Sequence, residues 1–154
     1  MKAVIQRVKN ASVSVGGRLC GSINEGLLVY LGVAAEDTEH DAVWMAEKAA
    51  HLRIFNDAER KMNLSITDIN SRSQTPLGIL IISQFTLCGD ANKGRRPSWA
   101  KAAPPEKAKQ LYEYFINKLR EQNLTCENDE FQAYMQVSYT NDGPVTIILD
   151  SAYR

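Results

Sequence analysis

Apolar and polar positions alternate in short stretches along most of this chain and recur at helical spacing in only two regions. Residues 2 to 9 alternate well enough for a strand, and residues 11 to 15 and 18 to 22 flank Gly16-Gly17, a two-residue hairpin signal. Residues 26 to 33 and 77 to 82 are nearly continuous aliphatic runs, the pattern of strands buried on both faces. A first helix is predicted to start near Thr38, in a capping box with Asp41, and to run through Val43, Ala46, Ala50 and Phe55. Residues 56 to 75 are polar and turn-rich. A second helix opens at Pro104-Pro105, where proline costs least, and aligns Ala108, Leu111, Tyr112, Phe115, Ile116 and Leu119 on one face. Strands at about 131 to 140 and 144 to 150 close the chain. The order of strands, helix, strand, helix, strands predicts an α/β fold with a mixed, largely antiparallel sheet and helices on one side.

The length of 154 residues and a hydrophobic share of 44% suit one domain over residues 1–154 with a substantial core. Eighteen basic and 18 acidic residues cancel, so the global field of a non-specific nucleic-acid binder is missing and any RNA contact must be local. Cys20, Cys88 and Cys126 are scattered and lack metal-ligand spacing, which predicts reduced thiols, no metal site and a cytoplasmic location. The first strand carries Lys2 and Arg7 and resembles neither a signal peptide nor a membrane span, so no membrane partner is expected.

Standard hydrolase machinery is hard to assemble from these residues. There is no nucleophile-elbow motif, no H-E-x-x-H and no P-loop, and the histidines are His40 and His51. Ser83 and Thr86, at the end of the 77 to 82 run, are candidate nucleophiles for which the sequence offers no evident base. Phe85 between them reads, by residue type, as a core aromatic. Lys93, Arg95, Arg96 and Lys101 crowd beside Trp99, a pattern that fits a solvated loop or a local phosphate-binding patch.

Two polar runs at strand positions stand out: Ser83-Gln84-Phe85-Thr86-Leu87, and Asn141-Asp142-Gly143-Pro144-Val145-Thr146, where a proline interrupts a strand-like stretch. Together with the opening MKAVIQRV, Gly89-Asp90, the stretch from Lys93 to Ser98, Ala102-Ala103, Pro105-Glu106, Phe131 and Met135, they resemble the D-aminoacyl-tRNA deacylase family in order and over almost the whole chain.

That resemblance implies three layers, α/β/β, with a barrel-like core, and a homodimer whose active site lies at the subunit interface. It implies hydrolysis of the ester of D-aminoacyl-tRNA at the 3′ acceptor end, extending to glycyl-tRNA, with no cofactor. An aminoacyl ester beside a ribose hydroxyl is already activated, so positioning and hydrogen bonds to the oxyanion would suffice. Carried onto this chain, Ser83, Gln84, Phe85 and Thr86 line the catalytic site through backbone amides, Phe85 packs near the terminal adenosine, and Ala108, Phe131 and Met135 shape the substrate pocket. Gly143 and Pro144 would form a cis dipeptide that enters the partner's pocket and excludes L side chains, held in orientation by Arg7. Lys93, Arg95 and Arg96 would contact tRNA. One stretch departs from the family: a Gly-x-Phe-Gly pattern is replaced by Asp129-Glu130-Phe131-Gln132, which puts the local loop path in question. A non-catalytic nucleic-acid-binding module and an acyl hydrolase with Thr86 or Ser83 as covalent nucleophile are the competing readings.

Overall fold

The computed structural model describes residues 1–92 and 94–154. In chain order the elements are β1 (Lys2–Val15), β2 (Arg18–Ile23), β3 (Gly26–Gly32), α1 (Glu39–His51), β4 (Phe55–Asn56), β5 (Met62–Leu64), α2 (Ile66–Asn70), β6 (Gly78–Ser83), α3 (Pro105–Arg120), β7 (Thr125–Asn128) and β8 (Met135–Asp150), with 3₁₀ turns at Phe85–Cys88 and Ser151–Tyr153.

β1 organises the sheet. One edge pairs antiparallel with β3 through its first half and with β2 through its second, while β8 runs antiparallel along the other edge. β3, β6 and β7 continue the sheet in parallel. The sheet curls until β7 meets β2: a Cβ on Gly21 would lie 2.9 Å from the Asn128 carbonyl oxygen. This near closure leaves the sheet two buried faces.

The parity of side chains shows how one strand serves both. In β1, Ala3 and Ile5 point toward the helices, whereas Val8, Ala11 and Val13 join the interior of the curled sheet. Register shifts against β8 around Val8 insert the extra residue that switches the alternation. β3 divides likewise, with Leu27, Val29 and Leu31 outward to the helices and Leu28 inward. α3 starts with Pro105 in its first turn and buries Leu111, Tyr112, Phe115, Ile116 and Leu119 against the outer face. A fully buried side chain such as Phe115 contributes roughly 2–3 kcal/mol by leaving water. The arrangement is a mixed α/β fold with helices on one side, as the sequence pattern predicts, and with the barrel-like sheet that the family resemblance implies.

Several boundaries differ. α1 ends at His51, because Leu52 turns to extended backbone, and Phe55 belongs to β4. Ile54 and Phe55 still enter the helix-side core, so the apolar spacing outlasts the helix. The polar 56 to 75 stretch contains β5 and the short α2, where the Ser65 hydroxyl accepts from the Asp68 amide at 3.1 Å. β7 is an unpredicted strand, and the strand expected from residue 131 starts at Met135 and continues unbroken through Gly143-Pro144. Among the described residues no helix is long and apolar enough to cross a membrane.

Candidate active site

β6 ends at Ser83, and the chain turns at once into the 3₁₀ segment Phe85–Cys88. A cavity of about 500 Å³ opens at this strand end, beneath the first turns of α3 and beside the start of β8. Its lining includes Ser83, Gln84 and Phe85 from the strand end, Ala108 and Tyr112 from α3, and Phe131 and Met135 from the segment leading into β8. Six of the residues singled out from sequence therefore meet in one cavity. Thr86 stands outside it, exposed, with its hydroxyl accepting from Gln84 Nε2.

The backbone amides of the motif are used unequally. Ser83 N–H donates to the Asp129 carboxylate at 2.8 Å and Gln84 N–H to the Leu31 carbonyl at 2.8 Å. Among the described residues, the Phe85 and Thr86 amides, which open the 3₁₀ turn, have no acceptor. Two adjacent unpartnered N–H groups at the mouth of an apolar cavity suit a developing oxyanion.

Phe85 is 57% exposed, which corrects its reading as a core aromatic. Its ring meets Trp99 edge to face, with centroids 5.4 Å apart. Trp99 in turn covers Gly89 so closely that a Cβ there would lie 2.4 Å from the indole, so glycine is required by contact. The adjoining loop is closed by paired backbone bonds between Asp90 and Ser98, and Arg95 and Arg96 project from it exposed. Lys93 lies outside the described residues.

Behind the motif is a buried polar cluster that the sequence did not disclose. Asp129 accepts from the Ser83 hydroxyl at 2.6 Å and from the Tyr112 hydroxyl at 2.6 Å. Burial, reinforced by the neighbouring Asp129 charge, raises the Tyr112 phenol far above its ordinary value, so it stays a neutral donor. Ser83 thus has a hydrogen-bonded carboxylate partner, which the sequence reading did not supply. The only signal of Asp129 was its place where the family pattern has glycine. At the second such place, Gln132 adopts φ +66° in a turn closed by Ala133 N–H to the Glu130 carbonyl, so the loop path expected of glycine is kept by a residue with a side chain. Neither histidine lines the cavity, and burial raises the Cys88 thiol and pushes Cys126 up to about 11, as befits unreactive cysteines.

The second run lies elsewhere. Gly143 and Pro144 are exposed, joined by a cis peptide, and absent from the cavity of their own chain. Gly143 holds φ +119°, and a Cβ on it would lie 2.9 Å from Val145 and 3.1 Å from Arg7 Nη2. Arg7 is not a surface arginine: it is 8% exposed, donates from Nη1 to the Ile54 carbonyl at 2.6 Å, and sets Nε 2.9 Å from Asp142 Oδ2. That Nε–H is not aligned for a hydrogen bond, so the contact with Asp142 is chiefly coulombic. Arg7 stands opposite Leu27 at the start of β3, whereas Ser83 stands opposite Leu31 near its end. Gly143 and Pro144, beside Arg7 on the β8 edge, therefore stand toward the opposite end of β3 from Ser83 and across β1 and β3 from it.

Comparison with known proteins places this geometry in context. The family described as D-Tyr-tRNA(Tyr) deacylase matches residues 4–150. A D-aminoacyl-tRNA deacylase of Thermosipho africanus is 56% identical over 151 residues, covering 98% of this chain and 97% of that protein. A solved structure named c-Myc DNA Unwinding Element Binding Protein superposes with a TM-score of 0.87 at 41% identity, covering 97% of this chain and 98% of that one. A second, of a probable eukaryotic D-amino acid tRNA deacylase, gives a TM-score of 0.81 at 15% identity over 96% of this chain and 97% of that one, a likeness of fold.

Proposed function

The chain belongs to the D-Tyr-tRNA(Tyr) deacylase family, and from that premise we propose that it hydrolyses the ester linking a D-amino acid to the 3′-terminal ribose of tRNA. The observation that carries the reading is the pair of unpartnered amides at Phe85 and Thr86, set at the edge of a cavity sized for an aminoacyl group. Water adds to the ester carbonyl carbon, the oxyanion is held by those amides, and cleavage of the C–O bond releases the free amino acid and the ribose 3′-oxygen, which takes up a proton. The neighbouring ribose 2′-hydroxyl orients the attack, so no side-chain base is required. Phe85, exposed beside Trp99, offers a face to the terminal adenosine, and Arg95 and Arg96 attract the acceptor-stem phosphates.

Chirality is supplied by a second copy of the chain. A run that is exposed and absent from the cavity of its own subunit serves a pocket across an interface. Exposed Tyr139, at 40%, and Ile148, at 76%, on β8 supply apolar surface for a two-fold contact that would carry Gly143 and Pro144 into the partner's cavity. There, backbone carbonyls facing the α-carbon exclude an L side chain and leave room for a D one or for glycine. Such a role in translation belongs in the cytoplasm.

A second reading has one observation in its favour. The Ser83 hydroxyl donates to the Asp129 carboxylate at 2.6 Å, an arrangement that a covalent nucleophile would also use. Among the described residues Thr86 has no comparable partner, its hydroxyl being engaged by Gln84. A non-catalytic nucleic-acid role would use Arg95 and Arg96 and leave the cavity without purpose. Release of free amino acid from D-aminoacyl-tRNA by the purified protein tests the reading, and its absence would favour the binding module.

A further inference from the structure

The Asp129 carboxylate ties the strand-end motif to the helix that roofs the cavity. Oδ2 accepts from the Ser83 amide at 2.8 Å and the Ser83 hydroxyl at 2.6 Å, and Oδ1 accepts from the Tyr112 hydroxyl at 2.6 Å. The Tyr112 oxygen also lies 2.9 Å from the Ile81 carbonyl, to which the Asp129 amide donates at 3.2 Å. Asp129 is 6% exposed, and a carboxylate so buried is tolerated because all these donors converge on it. It sits one residue past β7, so the parallel pairing of β6 and β7 brings it alongside the end of β6. A glycine, as in the pattern this stretch departs from, could make none of its side-chain contacts.

We propose that Asp129 is a positioning residue for hydrolysis: it holds the Ser83 amide and hydroxyl, fixes the path into the 3₁₀ turn, and thereby aims the Phe85 and Thr86 amides at the oxyanion. This rests on the deacylase reading for its chemistry, while the local ordering it asserts is independent of substrate. Asp129 touches the motif and not the ester, so its loss acts on turnover through the backbone. Misplacement of donors by about 1 Å, or loss of one oxyanion donor, lowers turnover by roughly 10²-fold.

The test compares wild type with Asp129→Ala, Asp129→Asn and Asp129→Glu by steady-state deacylation of D-aminoacyl-tRNA and by amide hydrogen exchange over residues 83–87. Asp129→Asn keeps the geometry: its carboxamide oxygen accepts from Ser83, and its NH₂ donates to Tyr112, whose own proton passes to the Ile81 carbonyl. Asp129→Glu keeps the charge and shifts it by a methylene. The expected result is a fall in kcat of about 10- to 100-fold for the Ala and Glu variants, with KM within about threefold and faster exchange at 83–87, against kcat within about fivefold and wild-type exchange for Asp129→Asn. Should Asp129→Ala fail to fold, the contrast between Asn and Glu carries the same decision. An Asn variant impaired as deeply as Glu, or a Glu variant equal to wild type, would overturn the proposal, as would unchanged exchange throughout. If wild type releases no amino acid, the deacylase reading fails, and the exchange comparison still decides whether Asp129 orders the motif.

Discussion

Arg7 Nε lies 2.9 Å from the carboxylate of Asp142, so a buried cation on β1 holds the residue that immediately precedes Gly143. The same guanidinium is anchored to the Ile54 carbonyl and reaches within 3.1 Å of where a Gly143 side chain would begin. Its direction is therefore set from the core side, and the exposed dipeptide inherits it. Arg7→Ala should lower the ratio of D- to L-aminoacyl-tRNA cleavage by about tenfold, or ~1.4 kcal/mol of discrimination, by weakening exclusion of the L form. Single-turnover assays on both substrates, with the variant confirmed folded, measure this. An unchanged ratio would mean that chirality is read by the cavity's own side chains.

Removing hydroxyls separates the positional mechanism from a covalent one. Thr86→Ala and Ser83→Ala should each keep activity within about tenfold of wild type, whereas loss of a true nucleophile would cost roughly 10⁴-fold or more. Ser83→Ala is the sharper case, because Ser83 alone of the two donates to a carboxylate. A trapped acyl-enzyme on Ser83 would establish the covalent route. Conversely, a substrate lacking the terminal 2′-hydroxyl should be hydrolysed far more slowly by the intact enzyme.

Arg95 and Arg96 are exposed and stand clear of the cavity, and the role proposed for them is phosphate attraction. Replacing both with alanine should raise KM several-fold and leave kcat nearly unchanged. Each lost phosphate contact should flatten the dependence of log(kcat/KM) on log salt by ~0.7–0.9. An identical salt slope would return these arginines to solvent.

Asp41 gives the fold an acid-sensitive tie. Burial opposes its ionisation, but hydrogen bonds from the Thr38 hydroxyl and amide, with Ser151 and Arg154, outweigh that and hold the carboxyl well below the usual carboxylate range. Its folded-state value is depressed, so its contribution is complete above about pH 4 and is lost as pH falls toward the folded value. Asp41→Asn should cost about 1 kcal/mol at pH 7 through the lost cap, and its stability should fall less steeply than that of wild type below pH 4. Urea unfolding across that pH range measures both effects, and parallel curves would mean that Asp41 does not tie the fold.

Local pattern was enough to locate much of this molecule. α3 follows from Pro105 and the spacing of Leu111, Phe115 and Leu119, and β3 and β6 from their aliphatic runs. Local pattern misled where two structures bury the same side: Ile54 and Phe55 prolong the apolar spacing of α1 although the backbone has turned extended. β7, with the sequence Thr125-Cys126-Glu127-Asn128, is strand by virtue of its partner β6 rather than any alternation of its own. α2 was legible in principle, since Ser65 and Asp68 form a reciprocal cap that the polar composition of the region obscured. The motif residues drew attention as polar groups at strand ends. Asp129 did not, because its role depends on β6 and β7 lying side by side, which no local spacing encodes.

The activity proposed for this protein is ester hydrolysis that admits D and rejects L. Its most direct measurement is single-turnover release of amino acid from tRNA charged in parallel with the D form, the L form and glycine, at equal concentrations of the wild-type protein. Rapid release is expected from the D substrate and from glycyl-tRNA, with the L substrate slower by at least about 10²-fold. Equal rates for D and L, or no release from the D substrate by folded protein, would contradict it.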